Sequence, residues 1–94
     1  MFKNRENSGR LNLCGPQVAK FRMRTPEKLS QRALADRLQL AGIDLGKNAI
    51  QRIECGKRFV TDIELLALSQ VLGVTLDQLL HEKSDPSEHK NADV

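Results

Sequence analysis

The sequence predicts an all-α fold of five short helices, and three observations carry that prediction. Between Leu13 and Leu80, apolar residues recur at helical spacing in five stretches, and alternation at the period of a strand is almost absent. Two of the stretches open on a capping box, Thr61-Asp-Ile-Glu64 and Thr75-Leu-Asp-Gln78. In each, a Thr side chain and a Glu or Gln three residues on satisfy one another's exposed N–H groups. Finally, 94 residues at 39% hydrophobic and 29% charged composition are enough for one folded core and too few for two.

Taken in order, residues 1–13 mix Asn, Ser, Gly and charged side chains and read as a flexible N-terminal arm. The domain itself is expected over 14–81. Its first helix runs from about Pro16, suited to a first helical position, to Met23, with Val18 and Phe21 on one face. The second follows Ser30, a good N-cap, places Leu34, Leu38 and Ala41 inward, and ends or bends at Gly42. The third begins after Gly46, buries Ile50 and Ile53, and stops at Gly56, which takes the left-handed conformation of a helix end readily. The fourth and fifth follow the two capping boxes and draw apolar faces from Ile63, Leu66, Leu68, Val71, Leu72, Leu76, Leu79 and Leu80. Residues 82–94 are polar, contain Pro86, and read as a disordered tail.

The net charge of +3 conceals an asymmetry. Residues 1–60 carry thirteen Lys or Arg against five Asp or Glu, and residues 61–94 carry two against seven. The halves are therefore +8 and −5, which points to a polyanion-binding half. Other functions fit less well. No apolar run is long enough for a membrane span and the N-terminus lacks the form of a signal peptide, so a cytoplasmic protein without a membrane role is expected. Cys14 and Cys55 then read as reduced thiols. Neither they nor His81 and His89 show metal-ligand spacing, and no metal or cofactor is expected. There is no Ser-His-Asp or Cys-His arrangement, no glycine-rich phosphate loop, and no Trp or Tyr to line a pocket, so no enzyme is expected.

Function is carried by the parts between Leu29 and Arg58. A capped amphipathic helix, a turn and a second short helix form a helix-turn-helix candidate. Once Ile50 and Ile53 face inward, Lys47, Asn48, Gln51 and Arg52 form a polar strip on the other side. Arg and Lys suit guanine O6 and N7, and Asn and Gln suit adenine N6 and N7. Lys57 and Arg58, just beyond the helix, and Gln31, at the amide-rich N-terminus of the preceding helix, suit phosphates.

From about Gly15 to Leu80 the sequence resembles the phage-repressor-type, Cro-like (XRE-type) helix-turn-helix regulators. The resemblance lies in Val18-Ala-Lys-Phe-Arg22, Leu29-Ser-Gln-Arg-Ala-Leu-Ala35, Ile50-Gln-Arg-Ile-Glu-Cys-Gly-Lys-Arg58 and Leu72-Gly-Val-Thr-Leu-Asp-Gln-Leu-Leu80, in that order. It implies a lambda-repressor-like five-helix DNA-binding domain in a bacterial or phage protein, binding double-stranded DNA as a transcriptional repressor. Base readout falls to Lys47, Asn48, Arg52 and Gln51, and backbone contacts to Gln31, Lys57 and Arg58. It also implies an Arg22–Glu54 ion pair of structural purpose between the first and third helices. A homodimer is expected through the surface around Leu76 and Leu80. The alternative is an interaction module of the antitoxin or adaptor kind, holding a protein partner through the acidic C-terminal half. Two departures stand out. The approach from Gln39 to Gly46 is longer than the family's usual short turn, predicting an extended second helix or a longer loop covered by Ile43 and Leu45. Gly46 and Cys55 stand where a Ser or Thr cap and an Asn are common.

Overall fold

The structure, a computed structural model, describes residues 9–81 and folds them into α1 (Gly15–Arg24), α2 (Gln31–Leu40), α3 (Lys47–Cys55), α4 (Asp62–Leu72) and α5 (Leu76–Leu80), with no strand among the described residues. The tail over 82–94 and the first eight residues of the predicted arm lie outside the described residues. Each helix has a local cause. Pro16 sits in the first turn of α1, and the helix gives way at Thr25, which is extended because Pro26 follows it. Ser30 Oγ caps α2 by accepting from Ala33 N–H at 3.0 Å. Both predicted capping boxes are present, at Thr61 with Glu64 and at Thr75 with Gln78.

The long approach to α3 is a loop and not an extension of α2. Gly42, at φ +90°, takes the left-handed position past the helix end, and the amides of Gly42 and Ile43 turn back to the carbonyls of Gln39 and Leu38. Residues 41–46 then cross to α3, with Leu45 buried and Ile43 packed against the core.

Val18, Leu34, Leu38, Ile50, Ile53, Leu68 and Leu79 are fully enclosed and form the centre of the core. Around them α1 packs on α3, α4 and α5, and α2 packs on α3 and α4, so α3 is held between α1 and α2. The buried Gln17 side chain ties α1 to α5 by donating to the carbonyls of Leu13 and Leu79, both at 3.2 Å. Four predicted core residues are instead exposed: Ala41, with Ile63 at 67%, Leu66 at 48% and Leu76 at 42%. On α4 the reason is geometric. The helix is apolar nearly all round, and the core takes the side of Leu65, Leu68 and Leu72, leaving Ile63 and Leu66 beside exposed Gln70. Ala41 is exposed because α2 has already ended.

The ordered contacts reach further toward the N-terminus than a domain beginning at residue 14. The amide of Leu11 donates to Gly56 O at 2.9 Å, and Arg10 and Asn12 bond to the end of α3.

Candidate nucleic-acid interface

The polar strip forms as a direct consequence of how α3 is buried. Ile50 and Ile53, three apart, have no exposed surface and fix which side of the helix faces inward. Lys47, Asn48, Gln51 and Arg52 are thereby all exposed on the opposite side, and none is bonded through its side chain to another described residue. Four hydrogen-bonding heads thus stand out from a single short helix with no partner among the described residues. Cys55 joins them: it is exposed, one turn beyond Gln51 on the same face. In the sequence this residue reads only as a reduced thiol standing where an Asn is common. The signal for its exposure was available in the spacing from Gln51.

Glu54, on the flank of α3, is the junction of three helices. Arg22 grips its carboxylate with both edges, Nε to Oε2 at 2.8 Å and Nη2 to Oε1 at 3.1 Å. Arg22 Nη1 also donates to Leu29 O at 2.9 Å. The side chains of Arg22 and Glu54 are only 13% and 9% exposed, so this bidentate pair lies largely out of water. Gln31 completes the cluster. Its Nε2 donates to Glu54 Oε1 at 2.9 Å, so the side chain proposed for phosphate contact is engaged inside the protein and links α2 to α3.

Arg58 is engaged in the same way. It makes a two-point ion pair with Glu64, at 2.9 and 3.2 Å, and also donates to Phe59 O. The Arg58 guanidinium, ahead of the Thr61 bonds, holds the Glu64 carboxyl below the usual range. Of the three residues expected at phosphates, Lys57 alone is exposed and has no bonded partner among the described residues.

Around the turn between α1 and α2, Lys28 is the one described non-glycine residue at positive φ, +53°, and is exposed. The turn is closed by Lys28 N–H to Thr25 O at 2.9 Å. Among the described residues no group of three or more His, Cys, Asp or Glu could hold a metal ion, and no helix is long and apolar enough to cross a membrane.

The helix-turn-helix family model matches residues 21–79, from the end of α1 to the end of α5. No curated protein and no solved structure matches the chain. The match covers well over half of the sequence and contains the pinned α2–α3 pair, the exposed strip and the closing helices. The chain belongs to the Cro/XRE-like helix-turn-helix family of DNA-binding transcriptional regulators.

Proposed function

We propose that this protein binds specific sites on double-stranded DNA by inserting α3 into the major groove. The observation that carries the reading is the exposed strip of Lys47, Asn48, Gln51 and Arg52, without side-chain partners among the described residues, on a helix whose other side is buried. These side chains supply the bidentate donors and acceptors that guanine and adenine edges match. Lys57 meets the phosphate backbone. Arg58 and Gln31 stand at the rim, where they orient their neighbours and offer their remaining donors to phosphate oxygens. The free amides at the start of α2 favour an anion in the same place.

A domain seated at a promoter excludes other proteins without further machinery, so repression is the regulatory action that follows. One α3 reads only a few base pairs. A homodimer on half-sites roughly one helical turn apart, ~34 Å, supplies the missing contact area, with exposed Leu76 and partly buried Leu80 at the subunit contact.

Gel-shift titration against fragments recovered from a random pool, repeated across salt, tests the reading. Binding is expected to weaken steeply, with a logarithmic slope of about −0.9 for each phosphate contacted. A flat salt response, or no enriched sequence, would falsify it. A second reading, capture of a protein partner in the manner of an antitoxin or adaptor, is favoured by Phe59, Ile63 and Leu66, which are 54%, 67% and 48% exposed. It gains if Ile63→Asp with Leu66→Asp abolishes a co-purifying partner while DNA binding is lacking in the wild type.

A further inference from the structure

We propose that Arg10 and Asn12 are positioning residues for base readout, clamping the last turn of α3 at a set angle to α1. The proposal rests on the DNA-binding reading above, and its residues precede the region matched by the family model. The last carbonyls of a helix have no partners within the helix and must find them elsewhere. The turn at Gly56, at φ +80°, satisfies two of them in part, through Lys57 N–H to Arg52 O and Gly56 N–H to Ile53 O. The N-terminal segment adds side-chain partners for the Ile53 and Glu54 carbonyls. Asn12 Nδ2 donates to Ile53 O at 3.0 Å and to Arg58 O at 2.8 Å, and Arg10 Nη2 donates to Glu54 O at 3.1 Å. Arg10 also places a positive charge at the negative end of the helix.

The same Asn12 side chain caps α1, its Oδ1 accepting from Gly15 N–H at 2.9 Å, so one amide fixes the start of α1 and the end of α3 together. The approach is close enough to exclude a side chain at two glycines. A Cβ on Gly15 would run into Arg10 and the Ile53 carbonyl, and one on Gly56 would lie 2.7 Å from the Arg10 guanidinium carbon. Among the described residues the other end of α3 has no comparable hold, because Gly46 caps it without a side chain. The clamp grips backbone carbonyls and leaves the strip untouched, so its effect on DNA passes through the angle at which Arg52 and Gln51 are presented. Binding sites tolerate little looseness of that kind.

The test compares the full-length wild type with Asn12→Ala and with the charge-preserving Arg10→Lys. Each is measured on a duplex selected from a random pool and on a mixed-sequence duplex. The preference for the selected duplex is expected to fall on the order of tenfold in both variants. Mixed-sequence binding should stay within about twofold, because phosphate contacts do not depend on the angle. In the free protein, amide exchange should quicken at Leu11, Gly56 and Lys57. Variants that keep the wild-type preference, or that lose both affinities equally, overturn the clamp alone. A wild type with no preference overturns the DNA-binding reading, and the clamp's role in readout with it.

Discussion

The two ends of α3 are held very differently. At its start, Gly46 offers no side-chain cap and residues 41–46 approach it as a loop whose Ala41, Gly42, Asp44 and Gly46 are exposed. At its end, Glu54 is bonded to α1 and α2 through Arg22 and Gln31, and the terminal carbonyls are held by Arg10 and Asn12. Both ends carry strip residues, Lys47 and Asn48 at the first and Gln51, Arg52 and Cys55 toward the second. The contrast teaches that this helix is aimed from its C-terminal turn. Its N-terminal turn has fewer side-chain tethers among the described residues.

The largest test of that contrast breaks the pinned end. Glu54→Gln keeps the shape but leaves Arg22 an uncompensated, mostly buried charge, and should cost about 2 to 4 kcal/mol. For a domain of this size that corresponds to a melting temperature lower by roughly 10 to 20 °C. An unchanged melting curve would mean that the pair contributes nothing.

A second test probes burial at the same end through pH. Cys14, immediately before α1, is enclosed, and burial pushes its thiol up to about 11 from an ordinary value of 9.0. The unfolded thiol ionises first, so this contribution is complete below pH 9 and is lost as pH rises toward 11. The loss by pH 11 is about 2 to 3 kcal/mol. Denaturant titrations of wild type and Cys14→Ala at pH 8, 9, 10 and 11 isolate it as a narrowing difference between the two. Parallel curves would count against it.

The third compares the ends directly. Arg52→Ala, on the pinned side, should cost about 1 to 3 kcal/mol of preference for a selected duplex, and Lys47→Ala, on the adaptable side, less. The reverse order would break the comparison. The smallest test mends the loose end. Gly46 has extended backbone and open space where a Cβ would stand, so Gly46→Ser adds a cap and should stabilise by a few tenths of a kcal/mol, about 0.3. A loss of stability in thermal melts would show that the start of α3 is more constrained than its contacts indicate.

What could be read in the sequence was what is decided locally. Thr61 and Thr75 announce α4 and α5 because a capping box is completed within four residues, and Gly56 ends α3 by its own conformational freedom. The strip followed from Ile50 and Ile53 alone. What escaped was decided across the chain. Ile63 and Leu66 are as apolar as Leu65 and Leu68, and only the placement of the other helices chooses between those two sides of α4. Gln31 and Arg58 read as free donors because the carboxylates that engage them, Glu54 and Glu64, become partners only through folding. Arg10 and Asn12 are more remote still, lying 44 and 41 residues from the carbonyls they hold. No periodicity in an arm of polar residues marks such contacts. The Arg22–Glu54 pair spans 32 residues, and it was anticipated through family resemblance and not through spacing.

Cys55 reports directly on whether the face of α3 opposite Ile50 and Ile53 meets DNA, the contact on which the DNA-binding reading turns. It is exposed on the strip, whereas Cys14 is buried with its thiol held protonated, so a maleimide at pH 8 should label Cys55 alone. The labelling rate is measured at low salt with and without a saturating mixed-sequence duplex, and again after salt has released the duplex. Duplex is expected to slow labelling of Cys55 several-fold, and salt to restore it. Unchanged labelling under conditions where a gel shift shows full binding would overturn that placement, because DNA would then lie on some other surface.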